Sequence, residues 1–365
     1  MSNMSRNILI TGASGYLGGT FLELLKDAGL PAHKIYAVVR SDKQAEAVEQ
    51  YNASPLSLDV SNTDAVSTAI IDNNISIIYH LHNPLDTSTP AWIKALATVK
   101  QHTGQDVHFL LTTGAKLFSS HAGAPTDPFS DTDPSLLSIQ QSQPGKAPID
   151  AMGLGAHCNN LVIETAKAHG VKSYIFAPCI VYGRGLGFGN KISIQTVAVV
   201  KAAVATRRVY KVDEGRPTWP VCHVEDNSTL YIEILRGILE GRDIGSGENG
   251  YFLASPGSVA WDDIYAAMGK ALKKRGVVDD ETVVKADKTA LEKMGEGMDC
   301  PADFVPMQLG GLCTWVPKHG KKIGWKPKYA AEHILEAADA EVELILEHLE
   351  NARSYAIPKG TPLKQ

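Results

Sequence analysis

Apolar positions in the first half of the chain fall into short runs that alternate with stretches of helical periodicity. Asn7 to Ile10 is an apolar run that ends at glycines, and Tyr16 to Ala28 carries apolar residues at helical spacing until Gly29. The pattern continues with strands at Lys34 to Val39, Leu56 to Leu58, Ile75 to Leu81, Val107 to Leu111 and Ser173 to Ala177. Between them it predicts helices over Lys43 to Tyr51, Asp64 to Asp72, Thr89 to His102 and Ala156 to His169. Strands separated by helices imply parallel βαβ units with right-handed crossovers, and so an α/β fold with a doubly wound parallel sheet.

Two stretches break the alternation. Ser119 to Pro148 is rich in Pro, Ser, Asp and Gln and reads as a long loop, which inside a compact domain is functional or mobile. From Gly183 a glycine-rich segment (Gly183, Gly185, Gly187, Gly189) leads into mixed elements. Tyr329 to Asn351 predicts one long amphipathic helix, with Ile334, Leu335, Ala338, Val342, Ile345, Leu346 and Leu349 at helical spacing. The expected organisation is a nucleotide-binding unit over 1–183, to which 221–248 return, a smaller substrate lobe from 184–220 and 249–328, and a C-terminal helix over 329–352.

Thr11-Gly12-Ala13-Ser14-Gly15-Tyr16-Leu17-Gly18 stands between the first strand and the first helix. Glycines at 12, 15 and 18 suit a tight turn, a close approach of backbone to a pyrophosphate, and close helix–strand packing. The helix N-terminus adds N–H donors and the positive end of its dipole. This is a Rossmann phosphate loop; the plainer alternative is a tight βα turn that holds nothing. At the end of the second strand, where an acid suits the ribose hydroxyl of NAD, stands Arg40, and the first acid is Asp42. A guanidinium there favours NADP(H) over NAD(H), because it can grip the 2′-phosphate and stack on adenine.

Further segments appear in a telling order: Asp59-Val60, His80-Leu81, Thr112-Thr113, Val181-Tyr182-Gly183, His223-Val224-Glu225-Asp226 and Gly324-Trp325-Lys326-Pro327. With the phosphate loop they resemble the extended short-chain dehydrogenases/reductases, the NAD-dependent epimerase/dehydratase family, over roughly residues 7 to 345. The resemblance implies that Ser14, Tyr16 and Leu17 join the glycines at the cofactor, with Thr112 close by. It also implies that Asp59 and Val60 border the adenine, that Leu81, His82 and Asn83 pass under the ribose, and that Pro178 to Val181 flank the nicotinamide. A homodimer and a small-molecule substrate are further implications.

The family's catalytic pair, a tyrosine and a lysine four residues later, is missing. No tyrosine lies between Tyr79 and Tyr174 and no lysine between Lys146 and Lys167. Anchored on Glu164, the tyrosine position holds Ala156 and the lysine position Asn160. A phenol near its ordinary pKa is a poor base without such a lysine, so the chemistry needs other groups. Thr112-Thr113-Gly114-Ala115-Lys116 resembles a segment of the progesterone 5β-reductase/iridoid synthase branch, in which a lysine just after the fifth strand takes the displaced lysine's place. The candidates are therefore Thr113, Lys116, Asn160 and His157, with Lys116 set against a plainer reading as an exposed loop lysine and His157 against one as a helix-surface histidine. His80 and His82 share one face of a strand, but a metal would need a third ligand and no residue offers one at a telling spacing, so no metal is expected.

Composition narrows the partners. A net charge of -5 leaves no basic face for nucleic acid. No apolar run is long enough to span a membrane, the polar start lacks a signal-peptide core, and five cysteines without a C-x-x-C pair fit a reducing compartment, so a cytoplasmic protein is expected. Three functions stand: an NADP(H)-dependent reductase of a ketone or activated C=C bond, a non-redox isomerase, dehydratase, aldolase-type or cyclising enzyme on the same scaffold, and a non-catalytic NADP sensor.

Overall fold

In the computed structural model, which describes residues 6–351, the predicted alternation forms in order. It runs β1 (Arg6–Ile10), α1 (Tyr16–Leu25), β2 (His33–Val39), α2 (Asp42–Glu49), β3 (Ala53–Ser57), α3 (Thr63–Asp72), β4 (Ile75–His80), α4 (Thr89–Thr103) and β5 (His108–Thr112). Beyond it come β6 (Phe129–Ser130), α5 (Leu136–Ser142), α6 (Asp150–His169), β7 (Lys172–Pro178), β8 (Ile180–Tyr182), α7 (Gln195–Thr206), β9 (Tyr210–Lys211), β10 (Thr218–His223), α8 (Val224–Leu239) and β11 (Tyr251–Ala254). The chain closes with β12 (Gly257–Ala260), α9 (Trp261–Lys274), β13 (Val284–Lys285), α10 (Lys288–Met298), α11 (Val305–Leu309), β14 (Trp315–Val316), α12 (His319–Lys322), α13 (His333–Glu336) and α14 (Ala338–His348).

Seven parallel strands build the main sheet in the order β11-β7-β5-β4-β1-β2-β3. The order reverses beside β1, which is where an open α/β sheet forms its ligand crevice. Helices α3, α4 and α6 cover one face, and α1 packs with α8 on the other. Strands covered on both faces become uninterrupted apolar runs, and every residue of β4 is buried.

β11 pairs with β7, so the main sheet extends beyond the expected return at 248. Ser119 to Pro148 is a folded segment containing β6 and α5, because Leu136 and Gln140, one helical turn apart, are both fully buried. The single helix expected over 329–352 is broken, and residue 352 lies outside the described residues. The Asp226 carboxylate accepts hydrogen bonds from the backbone N–H groups of Lys328 (2.8 Å) and Tyr329 (2.9 Å), which holds that stretch out of helical conformation. A second break at Ala337 separates α13 from α14.

Helix α14 reaches back to the segment that follows β8. Glu341 on α14 is 4% exposed, and its carboxylate accepts from Gly183 N (2.8 Å) and Thr196 Oγ1 (2.7 Å). The Gly183 carbonyl in turn accepts from the Tyr16 hydroxyl at 2.7 Å.

Candidate functional site

The crevice begins at the end of β1. Thr11 Oγ1 accepts from Leu81 N at 2.8 Å, which ties the phosphate loop to the end of β4. Gly12 has φ +71°, a conformation that a side chain disfavours, and a Cβ there would come within 3.2 Å of the Leu81 carbonyl oxygen. At Gly18 the constraint is distance: a Cβ would stand 2.3 Å from the Gly12 oxygen. Gly15 caps α1 without a side-chain acceptor, so no cap occupies the first-turn amides, and no acid lies in that turn to repel an anion. Ser14, Gly15 and Leu17 are half-buried at this cradle. On its outer side the glycine-rich segment clamps the loop, with Asn190 N donating to Ser14 O at 3.1 Å.

Arg40 is exposed at the end of β2, its backbone N–H bonded to Gln44 Oε1 (2.9 Å), while Gln44 Nε2 reaches Ser14 Oγ (3.3 Å). Asp59 is exposed and forms a turn by accepting from Ser61 N and Oγ, hydrogen bonds that hold its carboxyl below the ordinary range. Val60, Leu81 and Pro178 are half-buried. Val181 packs beneath Tyr16 and Leu17 together with Val224.

At the end of β5 the two threonines face opposite ways. Thr112 Oγ1 is paired with the Tyr231 hydroxyl on the α8 side at 2.8 Å. Thr113 Oγ1 is buried without a hydrogen-bond partner. Lys116 is not the exposed loop lysine of the plainer reading: it is 9% exposed and Nζ donates to the Met307 carbonyl at 2.7 Å. Burial pushes its ammonium down to about 7.

Helix α6 carries the places where the family's pair would stand. Ala156 is fully buried, and Asn160 is 6% exposed with Nδ2 donating to the Gln140 carbonyl at 3.1 Å. Asn159 Nδ2 donates to Gln140 Oε1 (2.7 Å), and Gln140 and Gln143 both donate to the Leu117 carbonyl. A buried amide network from α5 and the turn after it therefore sits against this helix. Sequence reasoning missed it because amide side chains in a polar stretch carry no periodic signal. His157 lies outside the network, exposed on the outer face of α6.

Between the phosphate loop and α4 the structure brings three groups together that the sequence left apart. His80 Nε2 is 2.9 Å from Asp86 Oδ2, and His82 Nε2 is 3.8 Å from the same oxygen. The group that sequence spacing did not offer is Asp86, which the turn between β4 and α4 folds back onto the strand. Burial and the neighbouring His80 lower the His82 imidazole to about 4, so it is neutral at pH 7. Burial opposes ionisation of Asp86, but hydrogen bonds from His80 and Ser88 outweigh it and hold the carboxyl well below the usual range.

Among described residues no helix is long and apolar enough to cross a membrane, and all five cysteines are unpaired. Residues 8–107 match the NAD dependent epimerase/dehydratase family. No curated protein matches the chain. Among solved structures, UDP-glucose 4-epimerase from Thermotoga maritima, bound to UDP-glucose, is 16% identical, with 94% of this chain and 99% of that one covered and a TM-score of 0.59. Vestitone reductase from alfalfa is 16% identical, with 93% and 98% covered and a TM-score of 0.58. UDP-glucuronic acid 4-epimerase from Bacillus cereus, in complex with NAD, is 13% identical, with 93% and 99% covered and a TM-score of 0.57. The chain therefore carries the sequence signature of the NAD-dependent epimerase/dehydratase family across its first four strands, and the fold of such epimerases and reductases over nearly all of its length.

Proposed function

We propose that the protein is an NADP(H)-dependent oxidoreductase that reduces a ketone or an activated C=C bond of a small organic molecule. The observation that carries this reading is the cradle formed by Gly12, Gly15, Gly18 and the uncapped start of α1, with Arg40 exposed beside it. A dinucleotide fits these residues: the first-turn amides would hold the pyrophosphate, and the Arg40 guanidinium the 2′-phosphate. Bound NADPH supplies a hydride.

The chain's own contribution is to receive the substrate oxygen. Thr113, whose hydroxyl has no protein partner, would donate to a carbonyl or enolate oxygen. Lys116 acts at one remove, its buried Nζ adding positive potential near the end of β5 when protonated. Ala156 cannot donate a proton, and Asn160 is tied to Gln140, so the proton that completes reduction comes from water.

That same network favours a second reading. Filling the redox pair's place with Ala156 and amides suits a non-redox isomerase or dehydratase on this scaffold.

Calorimetric titration of NADPH and NADH into nucleotide-free protein tests the first reading. NADPH should bind at least tenfold more tightly, and Arg40→Asp should remove the difference, as expected for a charge-assisted phosphate contact worth about 1.5–3 kcal/mol. No binding of either nucleotide to folded protein would refute it. Turnover of a substrate without NADPH oxidation would select the second.

A further inference from the structure

We infer that His80, His82 and Asp86 form a binding site for a single divalent transition-metal ion of the zinc type, at the mouth of the crevice beside β4. The site does not depend on the dinucleotide reading.

Each ligand is held so that one atom faces a common point. Asp86 Oδ1 is occupied by Ser88, which donates from N (2.8 Å) and Oγ (2.6 Å), leaving Oδ2 turned toward both imidazoles. His82 Nδ1 lies 3.1 Å from Thr11 Oγ1; a proton on Nδ1 satisfies that contact and leaves Nε2 with its lone pair toward Asp86. Ligating histidines are oriented in this way by a hydrogen bond from the other ring nitrogen. His80 is fully buried, its ring edge-on to Trp92, and Nε2 points at Asp86 Oδ2.

The three ligand atoms lie within 4.8 Å of one another. A cation about 2.0–2.2 Å from each would separate its ligands by about 3–3.5 Å. His80 and Asp86 already meet that spacing, a proton now standing where the cation would go. His82, whose side chain is 22% exposed, closes the remainder by a small rotation.

Two imidazoles and one carboxylate are an N2O set, which selects zinc and its first-row neighbours over magnesium and calcium. Three protein ligands also leave at least one coordination position open, as in catalytic rather than structural sites. The β4–β5 register pairs His80 with Leu111. The site thus stands at the end of β4 beside the end of β5, and its open position suits an oxygen ligand, water or a carbonyl.

The test is titration of Zn2+ and, separately, Co2+ into chelator-treated, tag-free full-length protein, followed by calorimetry and by the visible absorption of Co2+. The expected result is one equivalent bound with a micromolar or tighter Kd, and a Co2+ spectrum without thiolate charge-transfer bands. Asp86→Asn, which keeps the Ser88 contacts, and His82→Ala, at a half-exposed position, should each weaken binding at least tenfold while circular dichroism stays unchanged. Absence of saturable binding, a thiolate band, or affinity indifferent to both variants would overturn the assignment. NADPH titration of the same metal-free sample reports separately on the cofactor reading, so either can fail alone.

Discussion

Lys116 sets up a sharp test because its ammonium is buried and burial lowers its pKa to about 7. In the unfolded chain the group titrates near 10.5, and in the folded protein near 7. Below pH 7 both states hold the proton and the full burial penalty falls on the native state. Between pH 7 and 10.5 the unfolded chain keeps a proton that the native state has released, so stability rises with pH. The gap corresponds to at most about 5 kcal/mol at 1.36 kcal/mol per pH unit. Between pH 6 and 9.5 this one residue should therefore add about 3 kcal/mol to unfolding stability. Lys116→Met removes the titration and the charge at similar volume, at a cost of about 1 kcal/mol for the lost hydrogen bond to Met307. The variant should be more stable than the parent at pH 6 by about 2–4 kcal/mol and nearly level with it at pH 9.5. Urea unfolding of both proteins at several pH values reads the difference. A constant difference from pH 6 to 9.5 would refute the reasoning, because Lys116 would then titrate as an ordinary, solvated lysine.

Two substitutions probe the framework of the crevice. Gly18→Ala drives a Cβ against the Gly12 carbonyl, a backbone atom that cannot step aside, and should weaken dinucleotide binding at least tenfold in the calorimetric assay; unchanged affinity would mean that the loop does not contact the nucleotide. Asp226→Asn leaves one of the Lys328 and Tyr329 N–H groups facing an amide NH2 instead of a carboxylate oxygen. It should lower stability by about 2–3 kcal/mol, read as a fall in the urea midpoint, with little effect on nucleotide affinity.

How much the sequence disclosed depended on what each element is made of. β1, β4 and β5 are apolar runs covered on both faces, and their limits were legible to within a residue. β3 was displaced from Leu56–Leu58 to Ala53–Ser57, because its place is set by pairing with β2 from Ile35 opposite Ala53 to Val39 opposite Ser57, and Pro55 disguises it. A proline is tolerated there because β3 is the edge of the sheet. Helix α6 starts six residues before the expected Ala156, since Gly153 and Gly155 weaken the helical signal. Both glycines make room for neighbours: a Cβ would stand 3.2 Å from the Pro144 oxygen in one case and 2.7 Å from the Leu117 side chain in the other. The tight turn at Gly12, Gly15 and Gly18 was readable because its geometry depends on local glycine spacing. The convergence of Asp86 on His80 and His82 was not, because it is made by a turn that only the packed strand and helix define.

The contact between Glu341 and Gly183 has a consequence for how the protein comes into being. The turn at Gly12 to Gly18 leaves the ribosome well before α14. Yet both meet at Gly183, whose carbonyl accepts from the Tyr16 hydroxyl and whose N–H donates to the Glu341 carboxylate. Until residue 341 has emerged, Gly183 N and Thr196 Oγ1 lack their buried acceptor. The first half can thus form its strands during synthesis, but its glycine-rich clamp locks only once α14 has emerged, and a chain cut short before α14 would be left as a target for chaperones and proteases.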